Sequence, residues 1–335
     1  MSDTTSQVHE GPRGSDVVLE VGTTRSWDVA VGLGAAVLLV FHMHASRDFW
    51  FVFDDWSLIL RGDSIGDLFE PHNGHLSTLI ILVFRVQSLL FGLDSYFVIR
   101  LFGAVSLVAI PTFLYVVARR TLPPPLAVLL ALPFVMPANI DLFPTAMNHY
   151  AAAAFAILLA GSLQRDDRRS DGFVALWLSL SLLSAGGGVA AGVAAGVHTL
   201  CRRPGLRRWV AVVVPGLTWL LWWSTQSSAD TSEESLDFAD IARGVWASFE
   251  FIGMRTLIGG LLVAAGLVVL LVLRGRHGLR AAASSIAWTT AAVVWWSALH
   301  YSRGSGLQAD LSEVFRYQVV GAVFLVLAIL PARPG

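Results

Sequence analysis

Two adjacent carboxylates, Asp54 and Asp55, stand in the run Arg47-Asp48-Phe49-Trp50-Phe51-Val52-Phe53-Asp54-Asp55-Trp56. Like charges side by side in a poorly hydrated place repel, unless a cation or metal shares the site. Such a pair can take a proton from a hydroxyl or hold a divalent cation. The plainer alternative is a solvated acidic turn, or the N-cap of a helix over 56–61. His72 and His75 follow in Glu70-Pro71-His72-Asn73-Gly74-His75, a turn opening another helix. For them, turn and cap chemistry competes with substrate or metal binding. His149, after Asn148, opens one apolar segment and His300 closes another, so both are pocket candidates. His42 and His44 are two apart and do not share a helix face.

Residue usage removes whole classes of chemistry. Lysine is absent, and all 23 basic residues are arginine. A standard Walker A phosphate loop and a Schiff base are therefore excluded. The single cysteine, Cys201, forms no intrachain disulfide and no cysteine-based metal site.

The elements that must position these residues are apolar. The chain has 335 residues, 55% hydrophobic and 14% charged, with 12 Trp and 19 Phe. Soluble domains carry about 25% charged residues. Lipid must solvate much of this surface, and the expected fold is all-α, a polytopic membrane protein of about 10 transmembrane helices. The segments are 27–46, 95–118, 124–140, 148–164, 172–186, 187–201, 209–224, 255–273, 281–300 and 317–332. The fifth and sixth are short, meet at Gly186-Gly187-Gly188, and form one tight hairpin if joined there. Residues 1–26 are polar and read as a disordered cytoplasmic tail. Residues 27–335 form a single transmembrane domain.

Arginine sets the orientation. Arg119 and Arg120 follow the second segment, and Arg165, Arg168 and Arg169 the fourth. Arg202, Arg203, Arg207 and Arg208 follow the sixth, and Arg274, Arg276 and Arg280 the eighth. With the N-terminus cytoplasmic, all four clusters obey the positive-inside rule. The long loop 47–94, which carries the aspartates, then lies outside. Within it, residues 76–91 place Ser77, Thr78, Arg85 and Ser88 on one arc of about 100°. The expectation is an amphipathic helix lying on the outer membrane surface, with Gln87 off the arc.

The order of these features resembles the GT-C superfamily of membrane glycosyltransferases. It comprises a first span, Asp54-Asp55-Trp56, a His-containing turn, a surface helix ending Phe91-Gly92-Leu93-Asp94, and a span ending Ala118-Arg119-Arg120. Glu313-Val314-Phe315-Arg316-Tyr317 is similar to the Ser-Arg-Tyr that many members carry late in the chain. Protein mannosyltransferase and aminoarabinose transferase relatives are nearest in pattern.

The resemblance implies sugar transfer from a polyprenyl-phosphate donor to an acceptor hydroxyl, with inversion, on the outer face of a bacterial cell membrane. The acceptor is a glycan, lipid or protein. Asp54 and Asp55 would supply the general base, or hold Mg or Mn. A hydroxyl is a poor nucleophile that a carboxylate can deprotonate. The leaving phosphate needs a cation more than an acid. Arg316 and Arg303 are the first choices for that cation, with Arg255 and Arg100 behind them. The substrate-binding candidates are His72, His75, Arg85, His149, Arg303, Arg316 and Tyr317.

Two other classes stay open. A transporter or lipid flippase needs ionisable residues inside the spans and matched broken helices. A non-catalytic subunit of cell-envelope glycan assembly fits if an acceptor platform is missing. The family generally continues past the Arg-Tyr span, so either a short member or a shortened reading of a longer protein is expected. The tryptophans at 219, 222, 223, 295 and 296 read as belt or packing, although one could stack on a sugar. Residues 225–245 read as a solvated acidic face.

Overall fold

The computed structural model describes residues 14–51, 54–61, 64–72, 75–135, 143–226, 238–303 and 314–330. Residues 14–24, Asp54, 143–145, Ser302 and Arg303 are described by their backbone alone. The described residues form helices and turns, apart from one isolated bridge.

Every apolar segment of the sequence contains a helix, although the α-helix in 124–140 covers only Pro124–Ala131 and residues 136–140 lie outside the described residues. The helices are α1 (Gly14–Ala45), α4 (Phe97–Ala118), α5 (Pro124–Ala131), α6 (Phe143–Leu163), α7 (Arg168–Leu182), α8 (Gly187–Arg202), α9 (Leu206–Thr225), α11 (Leu257–Arg276), α12 (Leu279–Arg303) and α13 (Phe315–Ile329). Four have stretches long and apolar enough to cross a membrane: Arg25–Ala45, Phe97–Ala118, Ala146–Leu163 and Leu257–Arg276. The expected ten reduce to these four by that measure. α7, α8 and α13 have 15, 16 and 15 residues. At 1.5 Å per residue they reach about 23 Å, short of the roughly 30 Å hydrocarbon layer. α9 and α12 are longer but more polar.

α1 starts at Gly14, inside the tail expected to be disordered. Its Ser, Thr and acidic residues lower helix propensity, but no proline follows Pro12 to stop the helix. The 225–245 segment also differs from expectation. α10 (Phe238–Ile252) begins there and buries Ile241, Gly244, Ser248 and Phe251, which share one helix face. Its charged residues hid this spacing. The remaining helices are α2 (Asp54–Ile59) and α3 (Thr78–Phe91), with a 3-10 turn at Gly66–Phe69 between them.

Side-chain chemistry explains the layering. α13 is apolar on all sides, and Val319–Ala328 are essentially inaccessible. It packs against α6, α10 and α12 as the bundle's core. α8 and α12 pack closely, and alanines (Ala190, Ala194, Ala287, Ala291) line their buried faces. α1 and α11 instead expose Leu33, Val37, Val40, Leu261, Leu262 and Val269, an apolar surface suited to lipid.

Contacts fix two ends of the bundle. At one end Arg120 donates to the Gly161 carbonyl (2.9 Å), Arg202 pairs with Asp166, and Arg274 donates to the Ile329 carbonyl (2.9 Å). The sequence's arginine clusters therefore gather at a single end. The aspartate loop, the α7–α8 turn and the start of α13 lie at the other.

Candidate functional site

Asp54 and Asp55 are the first two residues of α2. The helix thus starts on the pair, not after it as the N-cap reading expected. The Asp54 side chain lies outside the described residues. Asp55 is 3% exposed, so it is no solvated turn. Its Oδ2 accepts a hydrogen bond from the Tyr96 hydroxyl at 2.7 Å. Tyr96 precedes α4 and is itself 1% exposed. Phe51 lies edge-on to its ring at 4.9 Å, and Ile80, Phe84, Ile99 and Met147 complete the apolar surround. Burial, then the Asp55 charge and hydrogen bond, push the Tyr96 phenol well above its ordinary pKa. The phenol stays a donor, and it orients the carboxylate in a place with little water.

The two histidines form a tight backbone bridge. His72 N donates to the His75 carbonyl (2.9 Å) and His75 N to that of His72 (3.0 Å). Arg61, just past α2, donates to the carbonyls of Glu70 (2.7 Å) and Pro71 (2.8 Å). Trp222 of α9 donates its indole N–H to the Phe69 carbonyl (2.6 Å). Ser57 of α2 is 3.5 Å from His72 Nδ1, at the limit of a hydrogen bond. The turn is therefore tied to the helix that carries Asp55.

From this turn the site continues into the bundle. The His75 ring lies against Gly186, where a β-carbon would stand 3.2 Å from the imidazole. The next glycine, Gly187, faces Trp295 and Val320. The Leu79 N–H donates to the Leu183 carbonyl (3.1 Å), joining α3 to the α7–α8 turn. Trp295 meets His149 edge-on at 5.7 Å and Tyr317 at 6.1 Å, and its indole donates to the Tyr317 carbonyl (3.1 Å). His149 and Tyr317 are perpendicular at 5.4 Å. The Arg316 guanidinium lies 4.9 Å over the Tyr317 ring and donates to its hydroxyl at 3.2 Å. A chain of contacts thus joins His72, His75, His149, Arg316 and Tyr317, with Met147 of α6 bordering the Asp55 cluster.

Other candidates stand elsewhere. Arg85 donates to the Ser64 carbonyl (2.8 Å) and pairs with Asp67 at 3.9 Å, so it fastens the loop before the 3-10 turn. Arg100 donates to the Ser46 carbonyl (3.2 Å) at the end of α1. Arg255 lies over Phe251 and Phe315, one residue from Arg316. The Arg303 side chain lies outside the described residues. His300 faces Asp240 at 3.9 Å.

The expected helix is present as α3, and its polar arc divides. Ser77 and Thr78 are buried, and the Thr78 hydroxyl donates to the Leu68 carbonyl (2.8 Å), whereas Ser88 is exposed. Leu82, Val86, Leu89 and Leu90 are exposed as well. Gln87, off the expected arc, is fully buried. It donates to Ser95 O (2.6 Å) and accepts from Val98 N (2.9 Å), bracing the approach to Tyr96.

Among the described residues no group of three His, Cys, Asp or Glu side chains converges as a metal site. The Mg or Mn expectation rests on Asp54 and Asp55 and gains no further ligand here. Trp295 packs, as one of its two sequence readings expected, but the role of Tyr96 was not read from the sequence. A Tyr opening a span looks like an interfacial belt residue. Compared with family models, curated proteins and solved structures, the chain finds no match.

Proposed function

We propose that the protein is a GT-C-type membrane glycosyltransferase, with Asp55 the base and Arg316 the cation for the departing lipid phosphate. The observation that supports this is a carboxylate buried in apolar surroundings yet oriented by the Tyr96 hydroxyl (2.7 Å). It sits at the bundle end that also carries Arg316. A solvated acidic turn would serve a non-catalytic subunit equally well, but Asp55 is not solvated.

In this reading the acceptor hydroxyl gives its proton to the Asp55 carboxylate as its oxygen bonds the anomeric carbon. The bond from that carbon to the phosphate oxygen breaks, and its electron pair leaves with the polyprenyl phosphate. Inversion follows from attack opposite the leaving group. Arg316 meets the phosphate charge, because no lysine exists to do so. His149 and Trp295 are buried and brace the Tyr317 ring on which Arg316 rests. The arginine end faces the cytoplasm and the aspartate end faces out, in a bacterial cell membrane.

The test uses purified protein in lipid nanodiscs with a panel of polyprenyl-phosphate sugars and membrane acceptors, reading release of polyprenyl phosphate. Asp55→Asn is expected to lower turnover by about 10²–10⁴-fold. If Asp54→Asn and Asp55→Asn both retain full transfer, the assignment of the base is wrong.

A further inference from the structure

The arginine end of the bundle carries more positive charge than its own acids neutralise. Arg208 is 4% exposed and fully occupied: it donates to Asp171 (2.5 Å), to the Ser170 hydroxyl (2.9 Å) and to the carbonyls of Leu163 and Arg165. Arg202 pairs with Asp166 at 3.3 Å. Asp167 caps α7 by accepting from Ser170 N at 2.8 Å. Every acid on this rim is therefore engaged. Arg168 of α7, Arg207 of α9 and Arg280 of α12 are exposed and have no ion-pair partner among the described residues.

These three guanidinium groups come from three helices and line one cleft of about 760 Å³. That is the size of a small-ligand site. A second cleft of about 570 Å³ shares Arg280 and adds Arg203. Exposed leucines border both clefts: Leu206 the first, which Asp166, Asp167 and Asp171 also line, and Leu200 and Leu279 the second, at 78%, 61% and 66% exposed. Arginine binds phosphate oxygens bidentately, and leucines at that exposure suit acyl chains. A free phosphate would use the guanidinium groups and leave the leucine rim without a role. An orientation signal needs only charge in the loops, with neither a cleft nor exposed leucines.

We infer that this end holds a binding site for an anionic phospholipid, its phosphate headgroup between Arg168, Arg207 and Arg280 and its chains along Leu200, Leu206 and Leu279. The site is separate from the Asp55 end and does not depend on the proposed activity.

The test titrates purified full-length protein in neutral detergent with dioleoylphosphatidylglycerol, dioleoylphosphatidylcholine or inorganic phosphate. Native mass spectrometry reads binding and thermal unfolding reads Tm. Phosphatidylglycerol is expected to bind saturably and raise Tm, with phosphatidylcholine at least tenfold weaker. Each arginine that meets the lipid phosphate contributes about fivefold to anionic-lipid affinity, so Arg168→Gln/Arg207→Gln/Arg280→Gln should weaken binding at least thirtyfold. Arg165→Gln/Arg169→Gln/Arg276→Gln removes the same charge from the same end outside the clefts and should change it less than threefold. Equal loss in both triple variants, equal binding of the two lipids, or a full Tm rise from inorganic phosphate alone would overturn the proposal. Should the first triple variant fail to fold, Arg280→Gln alone decides. It touches both clefts and is expected to weaken binding about fivefold, and unchanged affinity refutes the site.

Discussion

Tyr96 and Asp55 need each other. A buried carboxylate oxygen without a donor costs roughly 1–3 kcal/mol, and a buried phenol likewise seeks a partner. Tyr96→Phe should therefore destabilise the protein by about 1–3 kcal/mol, measured by denaturant unfolding in detergent. The ionisation of Tyr96 gives a second check. Its folded pKa lies above the ordinary 10.0, so the proton is held more tightly in the folded state. The stability this provides is complete below pH 10 and declines as pH rises beyond it. Folded wild type and Tyr96→Phe should consequently show the same tyrosinate absorbance at pH 11. A deficit of one phenolate in the variant would contradict the burial argument. Asp55 was legible in the sequence because carboxylates are out of place in an aromatic run. Tyr96 was not, because its role depends on a partner 41 residues away. Arg85 was misplaced for a similar reason, since its partners Ser64 and Asp67 lie in a loop that periodicity cannot position.

At the scale of elements, hydrophobic runs located the helices better than they located their ends or faces. All ten segments are helical in their described residues, because apolar runs bounded by arginine and proline leave little alternative. Thr78 and Arg85 turn to the protein and not to water because the Leu68 and Ser64 carbonyls and Asp67 supply polar partners there. α10 was lost because Asp240, Arg243 and Glu250 masked its buried face. That face has a tight fit: a β-carbon at Gly244 would overlap the Trp296 ring, and Trp296 donates to Ser248 of the same helix at 3.0 Å. Gly244→Ala should cost about 1–3 kcal/mol through overpacking, despite alanine's better helix propensity. A Tm equal to or above wild type would show that α10 is free to shift away from α12. Gly275→Ala, with open space around it, is the matched control.

The whole molecule has two chemically different ends, one collecting arginine and the other holding Asp55, the histidine turn and Arg316. If the positive-inside rule governs it, an impermeant maleimide should separate them. In a Cys201→Ala background, Asp94→Cys should react in intact cells and Arg169→Cys only after permeabilisation. The opposite pattern would reverse the orientation and move the proposed chemistry to the cytoplasmic face. The position of α13 has a consequence for synthesis. It is the most enclosed helix of the bundle, yet the ribosome makes it after every other helix described here. Until it arrives, α6, α10 and α12 must wait with an unfilled groove between them. Arg316 and Tyr317 are therefore the last residues of the candidate site to be delivered, so the proposed active centre forms only once α13 has been made and has entered that groove.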